Sequence, residues 1–241
     1  MKTISISIVK YKNTIPFRKG IEISGIQKKY PLKIEYDVPA ECAKKLINDK
    51  VDIGLIPVAS IINLDKYHII SDYCLGAYRN VKSVLLCSNI PFKDINTIKQ
   101  DNESMSSNYL TRILYANFWK KNVRFIENDE NNSADAHILI GDKALDNINN
   151  WKYHADLSES WFQFTGLPFV FAAWVTKKEL ETQFLNDFNT ALSIGVNSID
   201  DFKKQNMELF RYLKYNMDYK IDNKKKKAIY LFLDFIEKLS Y

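Results

Sequence analysis

Trp161-Phe162-Gln163-Phe164-Thr165-Gly166-Leu167-Pro168-Phe169-Val170-Phe171-Ala172-Ala173-Trp174 is the stretch on which the reading of this chain turns. The apolar run from Phe169 to Val175 has the length of a strand buried on both faces. In front of it, Thr165 to Pro168 form a turn with a hydroxyl, a freely rotating glycine and a proline of fixed φ. A polar turn feeding a buried strand is a place where α/β proteins present ligand groups.

Working outward, short apolar strands alternate with helical patterns, which predicts an α/β fold with parallel or mixed sheets. Strands are expected at Ile4–Val9, Leu32–Val38, Val51–Pro57, Tyr67–Ile70, Ser83–Cys87, Val123–Ile126 and Ala136–Ile140. Tyr11–Pro16 reads as the loop after the first strand, and Pro39 starts a short helix. Ser104–Ser107 lead into a helix with apolar positions at Tyr109, Leu110, Ile113, Leu114 and Phe118. Asn128–Ser133 is the most loop-like segment. After Val175 the pattern predicts three helices, near 177–195, 199–215 and 223–239. Two lobes follow from this layout, with Ser83–Ser88 carrying the chain out and Phe169–Thr176 carrying it back. Lobe 1 is expected to hold 1–86 and 176–241 and lobe 2 to hold 87–175, with the ligand in the cleft between them.

Composition narrows the function classes. With 241 residues, 46% of them hydrophobic, the chain has enough apolar material for a sizeable core. A formal charge of +5, from 34 basic and 29 acidic residues, is too mild and too scattered for nucleic acid. Three cysteines, Cys42, Cys74 and Cys87, show no paired spacing and suit reduced thiols. Thr3–Val9 alternates like a strand and not like a secretory segment, so a cytoplasmic protein with no membrane partner is expected. Neither a phosphate-binding glycine loop nor a nucleophile elbow occurs. His68, His137 and His154 lack metal-ligand spacing, so no metal is expected.

Four segments carry candidate chemistry. Asn13-Thr14-x-Pro16 follows the first strand, although a plain turn uses the same residue types. Ser104, Ser106 and Ser107 cluster where a helix begins, and a helix start offers free N–H groups and a positive dipole end. One hydroxyl suffices for a cap, so three suggest a carboxylate cradle. Ser83 enters the presumed crossover, and Thr165-Gly166-Leu167-Pro168 is the turn already described.

Together these segments, with Val51–Pro57, Ile140-Gly141-Asp142 and the Thr165–Ala172 run, resemble the chorismate dehydratase family of menaquinone biosynthesis by the futalosine route. The resemblance covers about Ile4 to Trp174. Two departures stand out: Tyr78-Arg79-Asn80 where small residues are usual, and Ser106 where threonine is common. The resemblance implies a two-lobed fold like that of type II periplasmic binding proteins, with two crossover strands and an interlobe cleft. It implies loss of water from chorismate to give 3-[(1-carboxyvinyl)oxy]benzoate, with no cofactor. Asn13 and Ser83 are then expected to be catalytic. Thr14, Ser104, Ser106, Ser107, Gly141, Asp142, Thr165 and Gly166 are expected to bind substrate. Because an amide is no base, the substrate's own enolpyruvyl carboxylate is expected to take the proton. The rival readings are 1,4-dihydroxy-6-naphthoate synthase of the same route and a non-catalytic protein that captures a small anion.

Overall fold

A computed structural model describes residues 3–127 and 133–239, so most of the loop expected at Asn128–Ser133 lies outside the described residues. In chain order the strands are β1 (Ile4–Val9), β2 (Leu32–Asp37), β3 (Ile53–Pro57), β4 (His68–Ala77), β5 (Val84–Ser88), β6 (Thr97–Lys99), β7 (Arg124–Ile126), β8 (Ala136–Ile140), β9 (Tyr153–Asp156), β10 (Phe169–Thr176) and β11 (Asp218–Lys220). The helices are α1 (Ile15–Ile23), α2 (Ile26–Lys29), α3 (Pro39–Ile47), α4 (Met105–Ile113), α5 (Gly141–Asn147), α6 (Leu157–Thr165), α7 (Thr182–Asn197), α8 (Met207–Arg211) and α9 (Asn223–Leu239).

Two mixed sheets result. The first runs β11-β4-β10-β3-β1-β2 and the second β7-β6-β8-β5-β9. In the first, β1 is parallel to β2 and β3, while β10 lies antiparallel between β3 and β4. In the second, β5 is antiparallel to β8 and β9, and β6 is parallel to β7 and β8. The passages between the sheets fall at 78–83 and 166–168.

The stretch that decides the fold is anchored at both ends by tryptophan. Trp161, fully buried on α6, donates its indole N–H to Pro168 O at 3.1 Å and meets Phe169 and Phe232 edge-on. Trp174, equally buried on β10, packs on Phe17 of α1 and Phe188 of α7. One short run thus gathers helices from three distant parts of the chain, and each aromatic pair adds to its area of burial.

Sequence expectation and structure part company in several places, among them β4, which runs on from the expected Tyr67–Ile70 to Ala77. The Tyr11–Pro16 loop contains a short 3₁₀ turn at Lys12–Thr14 and the start of α1, with Pro16 in the first turn where its missing N–H costs nothing. Strands β6, β9 and β11 went unread because each has only three or four residues, too few for alternation to register. Between α7 and α9 the expected helix breaks into a 3₁₀ turn, α8 and a wide π-helical turn at Tyr212–Asn216. Asn206 starts α8 afresh, its side chain accepting from Leu209 N at 2.9 Å. Finally, the first C-terminal helix begins at Thr182 and not near 177. Among the described residues no helix is long and apolar enough to cross a membrane.

Two contacts set the position of the C-terminal region. Helices α1 and α7 cross backbone to backbone: a Cβ on Gly195 would lie 1.9 Å from Pro16 O, and one on Gly20 would lie 2.1 Å from Ala191 O. Lys225, wholly buried on α9, is bonded to Asp218 Oδ1 at 2.5 Å and Lys220 O at 2.6 Å, and its ammonium lies over the Tyr78 ring. We expect Gly195→Ala to lower stability by about 2–3 kcal/mol through overpacking. Lys225→Ala should cost about 3 kcal/mol, the low end for a broken buried pair because Asp218 keeps contact with water. Denaturant midpoints of each variant check both values; an unchanged midpoint contradicts the contact concerned.

Candidate active site

A cleft forms where the two sheets' halves meet, and residues from both line it: Tyr11, Asn13, Ser83, Ser104, Ser107 and Gly141 supply its polar and backbone groups. Phe171, Ala172, Pro57 and Met217 form apolar walls. No lysine, arginine or histidine lines it among the described residues. The space within it is about 40 Å³, far below the ~300 Å³ at which small-molecule pockets begin. The two halves therefore rest shut, and admitting a ring-sized ligand requires them to part.

The shut state is held by polar contacts across the cleft. Tyr11 donates its hydroxyl to Glu103, the backbone N–H of Lys12 to Asp142 Oδ1 at 3.2 Å, and that of Ala40 to Glu103 O at 3.0 Å. Burial, reinforced by Glu103, pushes the Tyr11 phenol well above its ordinary pKa, so it stays a donor. The Tyr11 ring lies flat enough on Gly141 that a Cβ there would sit 2.8 Å from it, and Gly141 adopts φ 56°. Both demands select glycine.

Ser83 is fixed from three sides. Lys82 before it takes the left-handed conformation, φ 64°, and gives its N–H to Asp156 Oδ2 at 2.7 Å. The Asp156 carboxyl also caps α6 through Ser158 N and Glu159 N, and burial lifts its pKa to about 6. Ser83 O accepts from Gly141 N at 2.8 Å, tying the crossover to the start of α5. The Ser83 hydroxyl meets the buried Tyr212 hydroxyl at 2.8 Å.

At the start of α4, Ser104 is the N-cap, accepting from Ser107 N at 3.3 Å, and the hydroxyls of Ser104 and Ser107 lie 2.8 Å apart. The loop before it is pinned by Asn108, whose amide bonds both N and O of Asp101. The remaining first-turn N–H groups carry the positive end of the helix dipole toward the cleft. The N-terminus of α3 reaches the cleft through Pro39. Hydroxyls, an amide and the start of α4 give this cleft neutral donors of the kind that can hold an anion.

Five of the expected site residues therefore meet at one cleft: Asn13, Ser83, Ser104, Ser107 and Gly141. The structure commits the other five to backbone. Thr14 Oγ1 lies 2.6 Å from Val9 O and closes the turn ahead of α1. Ser106 accepts from Ala59 N and donates to Phe171 O, both at 3.1 Å, which docks α4 on the first sheet. Asp142 holds Lys12 N. Thr165, expected at the ligand, donates to Trp161 O, and Gly166 ends α6 in the left-handed region at φ 71°. The Tyr78-Arg79-Asn80 departure faces away from the cleft: Tyr78 donates to Asp222, Arg79 lies over Phe162, and Asn80 O accepts from Asn216.

Sequence reasoning missed Tyr11, Glu103, Phe171, Tyr212 and Tyr219. Phe171 is placed by a bulge, since Val170 pairs with Gly76 while Ala172 pairs with the adjacent Leu75. That extra residue turns its carbonyl to Ser106 and its ring to the cleft. No local pattern marks the two C-terminal tyrosines, which look like core aromatics.

Comparison with known proteins places the chain in a family and a fold. A family model described as menaquinone biosynthesis matches residues 4–238. The chain is 27% identical over 235 residues to the chorismate dehydratase of Campylobacter jejuni subsp. jejuni, covering 93% of this chain and 94% of that protein. It is 26% identical over 200 residues to the chorismate dehydratase of Thermus thermophilus, covering 74% and 72%. Among solved structures, a protein of Archaeoglobus fulgidus superposes with a TM-score of 0.72 at 13% identity over 99% of this chain and 98% of that one. The periplasmic aliphatic sulphonate binding protein of Escherichia coli superposes with a TM-score of 0.65 at 14% identity, over 100% and 93%. The fold is thus that of periplasmic binding proteins, and the chain belongs to the menaquinone biosynthesis family.

Proposed function

We propose that this chain is a chorismate dehydratase, an enzyme that removes water from chorismate to give 3-[(1-carboxyvinyl)oxy]benzoate. One observation carries the reading furthest: residues from four separated motifs, Asn13, Ser83, Ser104 with Ser107, and Gly141, converge on a single cleft. The two chorismate dehydratases similar to it over most of its length support the same reading. So does the chemistry of the donor set.

Chorismate brings two carboxylates and a ring hydroxyl. When the C3–H bond breaks, its electron pair spreads through the adjacent double bond into the ring carboxylate. The pair then returns to form the C3–C4 double bond as the C4–O bond breaks, and the ring becomes aromatic. Hydroxide leaves and combines with the proton taken from C3, first held by the enolpyruvyl carboxylate, to make water. Nothing is oxidised or reduced. Donors aimed at the ring carboxylate bind this transition state more strongly than the substrate. Ser104, Ser107 and the start of α4 are the donors placed for that task. Asn13 and Ser83, which line the same cleft, address the departing hydroxyl. Closure of the two halves excludes water and strengthens each bond.

Purified protein incubated with chorismate should produce the ultraviolet spectrum of a substituted benzoate. Asn13→Ala and Ser107→Ala should each lower kcat by ~10²–10³, the usual loss when a donor to developing charge is removed. Ser106→Ala should act on folding instead, costing about 1–3 kcal/mol because the buried Ala59 N–H loses its partner. Tight binding of chorismate with no change in its spectrum would favour a small-anion-binding protein over an enzyme.

A further inference from the structure

The segment after the return strand contributes to none of the motifs that led to the site, yet it holds two tyrosines that support Ser83 and Asn13 from behind. Tyr212 opens the wide turn after α8 and is 6% exposed. Its hydroxyl lies 2.8 Å from Ser83 Oγ. The Asn13 side chain lies beside the same hydroxyl and favours its charged form, as a donor does. Tyr219, on β11, donates its hydroxyl to Asn13 O at 3.0 Å, so both the backbone and the side chain of Asn13 rest on this segment. Burial keeps both phenols protonated, far above their ordinary pKa.

The direction of each bond follows from counting protons. A phenol has one hydrogen to give, and its oxygen can accept. Asn13 Oδ1 is buried and makes no hydrogen bond, so Asn13 meets Tyr212 through its NH₂ group, which can only donate. Tyr212 must then accept from Asn13 and spend its own hydrogen on Ser83 Oγ. That leaves the Ser83 hydrogen directed elsewhere and Asn13 Oδ1 waiting for a donor. The reverse direction, Ser83 to Tyr212 to Asn13 Oδ1, requires a partner at Oδ1 that is not there.

We propose that Tyr212 is a positioning residue that gives Ser83 and Asn13 opposite hydrogen-bond polarity, making Ser83 a donor and Asn13 Oδ1 an acceptor toward the cleft. The inference rests on the chorismate dehydratase reading and deepens it. A hydroxyl leaving carbon has an oxygen that gains negative charge and a hydrogen that must be kept in line. Ser83 O–H donates to that oxygen, a bond that strengthens as the C4–O bond lengthens. Asn13 Oδ1 accepts the hydroxyl hydrogen and fixes the direction of departure. Tyr212 touches no reacting atom; its hydroxyl sets which of its two neighbours gives and which receives.

Tyr212→Phe removes only the hydroxyl and keeps the ring. Its kcat on chorismate should fall about 10–100-fold, as when a group orienting a reacting residue is lost, with KM changed far less and the melting temperature preserved. In a Ser83→Ala background the same substitution should cost clearly less, because only the Asn13 end of the relay then remains. Equal, additive losses in the two backgrounds, or full kcat in Tyr212→Phe, would overturn the proposal. A second measurement needs no substrate. The Tyr212 hydroxyl proton, buried and hydrogen-bonded, should give a slowly exchanging downfield NMR resonance, identified by its disappearance in Tyr212→Phe. Ser83→Ala should shift that resonance; an unmoved signal refutes the relay. Inertness toward chorismate in the wild-type protein, with the resonance behaving as expected, would sink the functional reading and leave the relay standing.

Discussion

The antiparallel insertion of β10 between β3 and β4 is the constraint on which the molecule depends. A strand in mid-sheet must satisfy hydrogen bonds on both edges and bury side chains on both faces, so its register leaves little freedom. Here the sequence meets that demand with Phe169–Thr176 and departs from it against β4 at two places, the first a bulge between Val170 and Ala172. The bulge frees the Phe171 carbonyl for Ser106, and so docks the helix whose N-terminus faces the cleft against the first sheet. The same strand carries Trp174 into the contact with Phe17, which fixes the helix that starts right after Asn13 and Thr14. The start of α4 and the turn that carries Asn13 are therefore both held by residues of one strand.

Much of this was legible beforehand. The bounds of β1, β8 and β10 follow from runs long and apolar enough to need burial, and a cluster of hydroxyls marks the start of α4. What the motifs did not convey is which polar atoms would be consumed by the fold. Ser106 and Ser107 are adjacent and chemically identical, yet one bonds Ala59 N and Phe171 O while the other faces the cleft. Helical geometry turns neighbours about 100° apart, and only the packing partner decides which of them is spent. Thr165 and Gly166 looked like ligand groups because a helix C-terminus and a binding turn use the same residues. Tyr212 and Tyr219 could not be found at all from local pattern. Their role exists only once the chain has returned to the first sheet and brought residues some two hundred positions from Asn13 against it.

The closed state has its own economy. Contacts that cross the cleft use backbone N–H groups of Lys12 and Ala40 and the Tyr11 phenol, against acceptors on Glu103 and Asp142. Such groups are well solvated when the halves part, so net gain per bond is small, of the order of 1 kcal/mol. A few of these bonds hold the halves together without locking them, which suits a site that must open to admit a ring-sized ligand.

The lack of a cation among the described residues lining the cleft fits the proposed reaction better than a lysine or arginine would. Chorismate and the benzoate formed from it carry the same two carboxylates. A fixed cation against the enolpyruvyl carboxylate would favour its charged form and so oppose its taking the C3 proton. It would also slow release of the product. Substrate, transition state and product differ only in where the migrating electron pair sits and in the bond to one hydroxyl. Neutral donors at a helix start respond to the first difference, and a donor–acceptor pair with set polarity responds to the second. In a space shut to water, both act at full strength at the two places where charge moves, and the carboxylates common to every stage are held only as firmly as orientation requires.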